Sequence, residues 1–172
     1  DIVVPDLPVL FIAINPATGS AKSGHPFATS TNLFWRLLHE SGLTPRLYRP
    51  EEALRLPEDG LGLVSLVDRP TKAAAELRTS ELRAGARRLA VKVRRWHTQT
   101  IGLLGLTLLP FVLPHVDEPG PGFKRATFGG ARVFVLPYPS GPIRTYPGSA
   151  GKVRWYRELA VLCGRTPADA RT

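Results

Sequence analysis

Six residues without a charge, Val9 to Ile14, run directly into Asn15-Pro16, and that junction constrains the chain more than any other. The run reads as a buried strand. Pro16 cannot donate to a ladder and keeps Asn15 out of the helical region, so the strand has to stop there. The small residues Ala17, Thr18, Gly19, Ser20 and Ala21 follow as a loop that lets a ligand approach the backbone closely. Phe27 then stands among small and polar residues, where no periodic pattern accounts for it. A helix is predicted from about Thr31 to Ser41, capped by Ser30 or Thr31 and closed by Gly42. It carries Phe34, Trp35 and Leu38 inward.

The rest of the chain alternates strand and helix. Arg46 to Glu58 reads as a loop with one helical piece, Glu51 to Leu56. Leu61 to Val67 is apolar on both faces, as a strand in a parallel sheet should be, and ends at Asp68-Arg69-Pro70-Thr71. A long helix over Ser80 to Trp96 places Leu82, Ala86, Leu89, Val93 and Trp96 on one stripe. Its arginines lie mainly off that stripe, as on a solvated face. Thr100 to Leu104 is a third strand, closed by Gly105, with a short helix from about Leu108. The Gly-, Pro- and charge-rich segment His115 to Arg125 is expected to be a surface loop. Ala131 to Leu136 is the fourth strand and runs into Pro137-Tyr138-Pro139-Ser140-Gly141-Pro142. A last helix spans about Gly151 to Leu162, with Val153, Tyr156, Leu159 and Ala160 inward, and residues from Gly164 to Thr172 are expected to fray.

This order predicts an α/β fold. A central, mostly parallel four-stranded sheet is expected between helical layers, as one domain over residues 1–172. In such a sheet Asn15, Asp68 and the Pro137–Arg144 turn all follow strand ends on one edge, so distant segments converge on one crevice. An amide, a small-residue loop and an unexplained aromatic there read as a pocket for a flat, polar ligand.

Composition narrows the chemistry. Cys163 is the single cysteine, which excludes an intramolecular disulfide, a Cys-rich zinc site and an iron–sulfur cluster. His25, His39, His97 and His115 show no ligand spacing, and no metal or other cofactor is expected. Neither a Walker A sequence nor a Gly-x-Gly-x-x-Gly sequence is present. Ser140 lacks the Gly-x-Ser-x-Gly elbow of a Ser–His hydrolase. No signal peptide is read at the start, and Thr100 to Leu113 is too short to span a bilayer. A cytoplasmic protein with no membrane partner is expected. The net charge of +9 suits an acidic polymer as partner, although an arginine-rich genome composition would produce the same balance.

Several segments, in order, carry a resemblance. AINPATGSA, HPFA and NLFW, followed by ESGLTPR and LVDRPTKAAAEL, resemble the mismatch-specific uracil/thymine DNA glycosylases of the uracil-DNA glycosylase superfamily, over about Leu10 to Leu159. The resemblance implies a monofunctional DNA glycosylase of base excision repair, working as a monomer on the nucleoid of a prokaryote. It would flip uracil out of mismatched DNA and hydrolyse its N-glycosidic bond, with thymine and other damaged pyrimidines as further substrates. The implied partner is double-stranded DNA with a U·G mismatch, with single-stranded DNA beside it. The competing reading is a catalytically inactive DNA-binding relative of the same fold.

The resemblance also implies roles. Asn15 would position the attacking water, an amide being suited to orientation and not to proton removal. Phe27 would stack on the extruded base. Ser20 and Ala21, with Ile14 at the strand end, would shape the pocket around it. The plainer readings are an Asx-turn for Asn15 and a core aromatic for Phe27. Asp68 has no leading role in the family, yet a carboxylate at that edge can stabilise a sugar cation or accept a proton from water. The alternative is an ion pair with Arg69 or a cap on the next turn. The second family motif, Asn-Pro-Ser-Gly-Leu, corresponds to YPSGPIR, which makes Ser140, Gly141, Pro142, Ile143 and Arg144 the expected DNA contacts. Tyr138 replaces its Asn, and Pro142 replaces the Leu that fills the vacated helix. Ala17 replaces the second Gly of the first motif.

Overall fold

The computed structural model describes residues 1–140 and 148–165. Five strands form one sheet in the order β2-β1-β3-β5-β4. They are β1 (Val9–Ala13), β2 (Leu61–Ser65), β3 (Thr100–Leu104), β4 (Gly122–Phe128) and β5 (Ala131–Leu136). The first three and β5 run parallel, with Phe11 opposite Leu63 on one side and Gly102 on the other. β4 lies antiparallel on the edge beside β5. The helices are α1 (Thr18–Ser23), α2 (Phe34–Glu40), α3 (Thr79–Trp96), α4 (Leu109–Val112) and α5 (Gly148–Leu162).

Strand alternation divides the core in two. Val9, Phe11 and Ala13 face a layer built from α2, α5 and the 3₁₀ segment Pro50–Asp59, with Phe34, Leu37, Leu56, Tyr156 and Leu159 buried there. Leu10 and Ile12 face the other way, onto Leu82, Ala86, Leu89 and Val93 of α3 and Val112 of α4. The result is a three-layer α-β-α sandwich. The predicted stripe of α3 is the buried one, and cutting back Leu89, only 4% exposed, to Ala would cost about 2–5 kcal/mol. Gly85 lets α3 sit directly on the end of β2, since a Cβ there would lie 2.2 Å from the Leu66 carbonyl oxygen.

Four expectations are corrected. The sheet has five strands, not four, because part of the segment expected as a surface loop pairs with β5 as β4. The turn that makes this possible is Gly129-Gly130, both at positive φ (57° and 85°), as a tight hairpin matched to strand twist requires. The small-residue loop after Pro16 contains a short helix, α1. The next helix starts at Phe34 and not near Thr31; Asn32 Oδ1 accepts the Phe34 N–H at 2.9 Å, so neither Ser30 nor Thr31 supplies the cap. At the other end, Arg165 is held rather than frayed, donating to the carbonyls of Leu43 and Asp59; the rest of the stretch expected to fray, 166–172, lies outside the described residues. No helix among the described residues is long and apolar enough to cross a membrane.

Candidate active site at the sheet edge

The loops that follow β1 and β2 are stitched together. The Thr18 N–H donates to Thr71 O (3.1 Å) and the Thr71 N–H to Pro16 O (3.3 Å), so Ala17 and Thr71 form a parallel bridge. α1 has no buried residue, and the bridge at Thr18 fixes where it begins.

Asn15 is built into this stitch. Its Nδ2 donates to Arg69 O at 2.8 Å and to Thr71 Oγ1 at 2.8 Å. Both amide hydrogens are therefore engaged, and Oδ1 is left as an acceptor with a fixed direction. Asp68 stands on the neighbouring strand end, exposed, and among the described residues it makes no hydrogen bond or ion pair. An ion pair with Arg69, the alternative reading of Asp68, does not form. Arg69 pairs instead with Glu81 of α3, Nε to Oε1 at 3.0 Å and Nη2 to Oε2 at 3.0 Å. Glu81 also accepts the Arg78 N–H (2.9 Å) at the start of α3. The Arg69 bonds, seconded by Arg78, hold its carboxyl down to about 2.

The third element is aromatic. Phe27 sits at φ +53°, a conformation that costs a bulky residue about 1–3 kcal/mol and persists only where neighbours enforce it. The neighbours are named readily. Trp35 Nε1 donates to Pro26 O (3.2 Å), and the Phe27 ring backs onto Phe34 with centroids 4.3 Å apart. Phe34 is held edge-on by Phe11 and Trp35, at 5.4 Å and 5.1 Å. The fourth element is the segment after β5. Pro137 O accepts the Tyr156 hydroxyl (3.2 Å), and Pro139 O accepts the Leu33 N–H (2.8 Å). Burial pushes the Tyr138 phenol up, with a hydrogen bond to Ser140 pulling the other way.

All four elements line one cavity of about 460 Å³, into which Asn15, Phe27, Asp68, Tyr138 and Ser140 converge from different strand ends. That volume lies in the range of small-molecule sites. The family model described as Uracil DNA glycosylase superfamily matches residues 1–161. The chain belongs to the Uracil DNA glycosylase superfamily. Membership makes DNA its partner and excision of uracil, the opening step of base excision repair, its activity.

In this superfamily member, the expected site residues fall into three groups. Asn15, Phe27, Asp68 and Ser140 line the cavity, and so do Ser20 and Ala21, from α1 rather than from an open loop. Ile14 does not line it: its side chain packs on the opposite core with α3, and its carbonyl accepts the Val67 N–H. Gly141, Pro142, Ile143 and Arg144 lie outside the described residues. Sequence reasoning missed Thr71, which is 4% exposed and holds the Asn15 amide. The only signal was a hydroxyl residue three places after Asp68, in the same quoted motif. It also missed Tyr138 as a cavity wall. Among the described residues no three His, Cys, Asp or Glu side chains come together.

Proposed function

We propose that the protein is a monofunctional uracil-DNA glycosylase acting on U·G mismatches, with U·A and single-stranded uracil as further substrates. The observation that carries this reading is the locked Asn15 amide, whose free Oδ1 shares a cavity with the Phe27 ring and the Asp68 carboxylate. The extruded uracil stacks on Phe27, with Ser20 and Ala21 along its edge. The C1′–N1 bond breaks with its electron pair leaving on the base, and positive charge builds on the sugar. Asn15 Oδ1 accepts a hydrogen bond from a water and aims its oxygen at C1′. Asp68 faces the sugar cation and takes the proton that the water loses as the new C1′–O bond forms, then passes it to solvent. Thr71 does not touch substrate; it positions Asn15. In this reading water is the nucleophile at C1′ and no Schiff base is formed.

The opposite-base preference is assigned to the YPSGPIR turn. Pro is an apolar wedge shorter than Leu, which loosens dependence on the partner base. The test is alkali-revealed cleavage of labelled DNA carrying U·G, U·A, T·G or single-stranded U, in EDTA. Cleavage at U·G, U·A and single-stranded U, with no borohydride-trapped complex, is the expected result, and Pro142→Leu should shift preference toward U·G. Binding without base release would identify an inactive relative. Strict U·G preference in the unaltered protein would defeat the wedge assignment alone.

A further inference from the structure

The outward face of α3 is used by nothing described so far. Arg83, Arg87, Arg88, Lys92, Arg94 and Arg95 are all exposed on it, around Val91. At 3.6 residues per turn these positions cover about half the circumference of the helix. The only acid on α3 is Glu81, which is committed to Arg69. Lys92 meets Asp1 at 3.4 Å, but among the described residues none of the five arginine side chains makes a hydrogen bond or an ion pair. Arg83 and Arg87, Arg88 and Lys92, and Lys92 and Arg95 are like charges three or four residues apart, where they repel one another. A polyanion laid along this face relieves that repulsion. Arg83 to Arg95 extends about 18 Å along the axis, a length over which duplex DNA presents about ten phosphates.

The direction of α3 says which DNA. The helix leaves the β2 end at the cavity edge and returns to Thr100, at the start of β3, on the opposite edge of the sheet. Its 18 residues are about 27 Å long, so Arg94 and Arg95 lie far behind the cavity edge. A straight duplex crossing that edge does not reach them. We infer that the outward face of α3 is a second DNA-binding surface, which holds the phosphate backbone of a duplex segment other than the one engaged at the cavity. A protein with two such faces can pass from one segment to another without a free intermediate. The inference rests on the glycosylase reading only for the first of the two segments.

The test separates the two. Protein is loaded with a fluorescent duplex of about one helical turn (~10 bp) and challenged with increasing undamaged duplex of about three turns (~30 bp). Release of the label should accelerate with challenger concentration, through a complex holding both duplexes. Arg87→Glu/Arg88→Glu/Arg95→Glu should abolish the acceleration, while single-turnover uracil excision from the short duplex stays within about twofold, since no chemical group is altered. The milder Arg87→Gln/Arg88→Gln/Arg95→Gln, which keeps helix propensity, should lower the salt slope of the second binding step by about 2 to 3, near 0.9 per lost phosphate contact. Release independent of challenger, or acceleration retained in both triple variants, overturns the inference. So does capture of a polyaspartate peptide on this face with no second duplex bound, which would mark an acidic protein as its partner. Failure of the excision assay with the acceleration intact would sink the glycosylase reading and leave this one standing.

Discussion

The ends of β1 and β2 lie side by side and line one cavity, yet they treat their polar residues in opposite ways. At the β1 end, Asn15 has both amide hydrogens tied, one to a backbone carbonyl and one to Thr71. At the β2 end, Asp68 has no hydrogen-bonding partner among the described residues, and the arginine beside it is turned away toward Glu81. The difference matches what each group can do. An amide contributes only through direction, and direction has to be built. A carboxylate contributes through charge, which acts over several ångströms without a fixed contact. Pairing Arg69 with Glu81 keeps a full positive charge from neutralising Asp68 where a sugar cation would form.

Variants can break this contrast. Asn15→Ala with Asp68→Asn together removes both and should leave excision almost undetectable. Asn15→Ala alone should slow single-turnover excision about 100- to 1,000-fold, the usual cost of losing a preorganised polar group. Asp68→Asn should cost less, about 10- to 100-fold, because the site is exposed and its field is partly screened. DNA affinity should hold or rise as a negative charge leaves. A rate unchanged by Asp68→Asn would remove Asp68 from the chemistry and leave the β2 end a scaffold.

Next comes the stacking wall. Phe27→Ala deletes a base–aromatic contact worth about 1–3 kcal/mol, and the loss should fall mainly on the affinity for uracil-containing DNA. An effect confined to thermal stability, with affinity unmoved, would return Phe27 to the core. Thr71→Val sharpens the comparison further. It keeps the shape of the side chain and removes one of the two acceptors, so the Asn15 amide is held by the Arg69 carbonyl alone. Excision should drop about tenfold with affinity preserved, as expected of a misaimed group, and Thr71→Ser should restore most of the rate.

The smallest effect belongs to Glu81→Gln. Its carboxyl is held at about 2 in the fold, against an ordinary glutamate near ~4.3. A depressed folded value means that the contribution is complete above the ordinary value and disappears as pH falls through about 2. Thermal melts of wild type and variant should therefore differ slightly at neutral pH and converge in strong acid. Excision at neutral pH should change less than about threefold, since the pair is exposed and such pairs are weak.

Much of this architecture was legible because it follows from periodicity. The charge-free run before Asn15-Pro16 and the Leu82, Ala86, Leu89, Val93 stripe each admit one element type, and both formed where expected. β4 was hidden because an edge strand needs only one buried face: Phe123 is half exposed, and Lys124 buries its ammonium against the Glu118 and Gly120 carbonyls. Its lone signal was Gly129-Gly130, a two-residue hairpin turn between apolar neighbours. α1 escaped because nothing in Thr18–Ser23 is buried, so no stripe announces it. Thr71 escaped for a different reason. It holds a residue 56 positions away, and one-dimensional spacing carries no trace of that contact.

The bridge between Ala17 and Thr71 has a kinetic consequence. The amide protons of Thr18 and Thr71 are each bonded to the opposite loop, so neither loop can open to solvent alone. In heavy water the two should exchange at one common rate, slower than the unbonded amides of the same loops. A base seated in the cavity should slow both together, which would report the crevice walls as one mechanical unit.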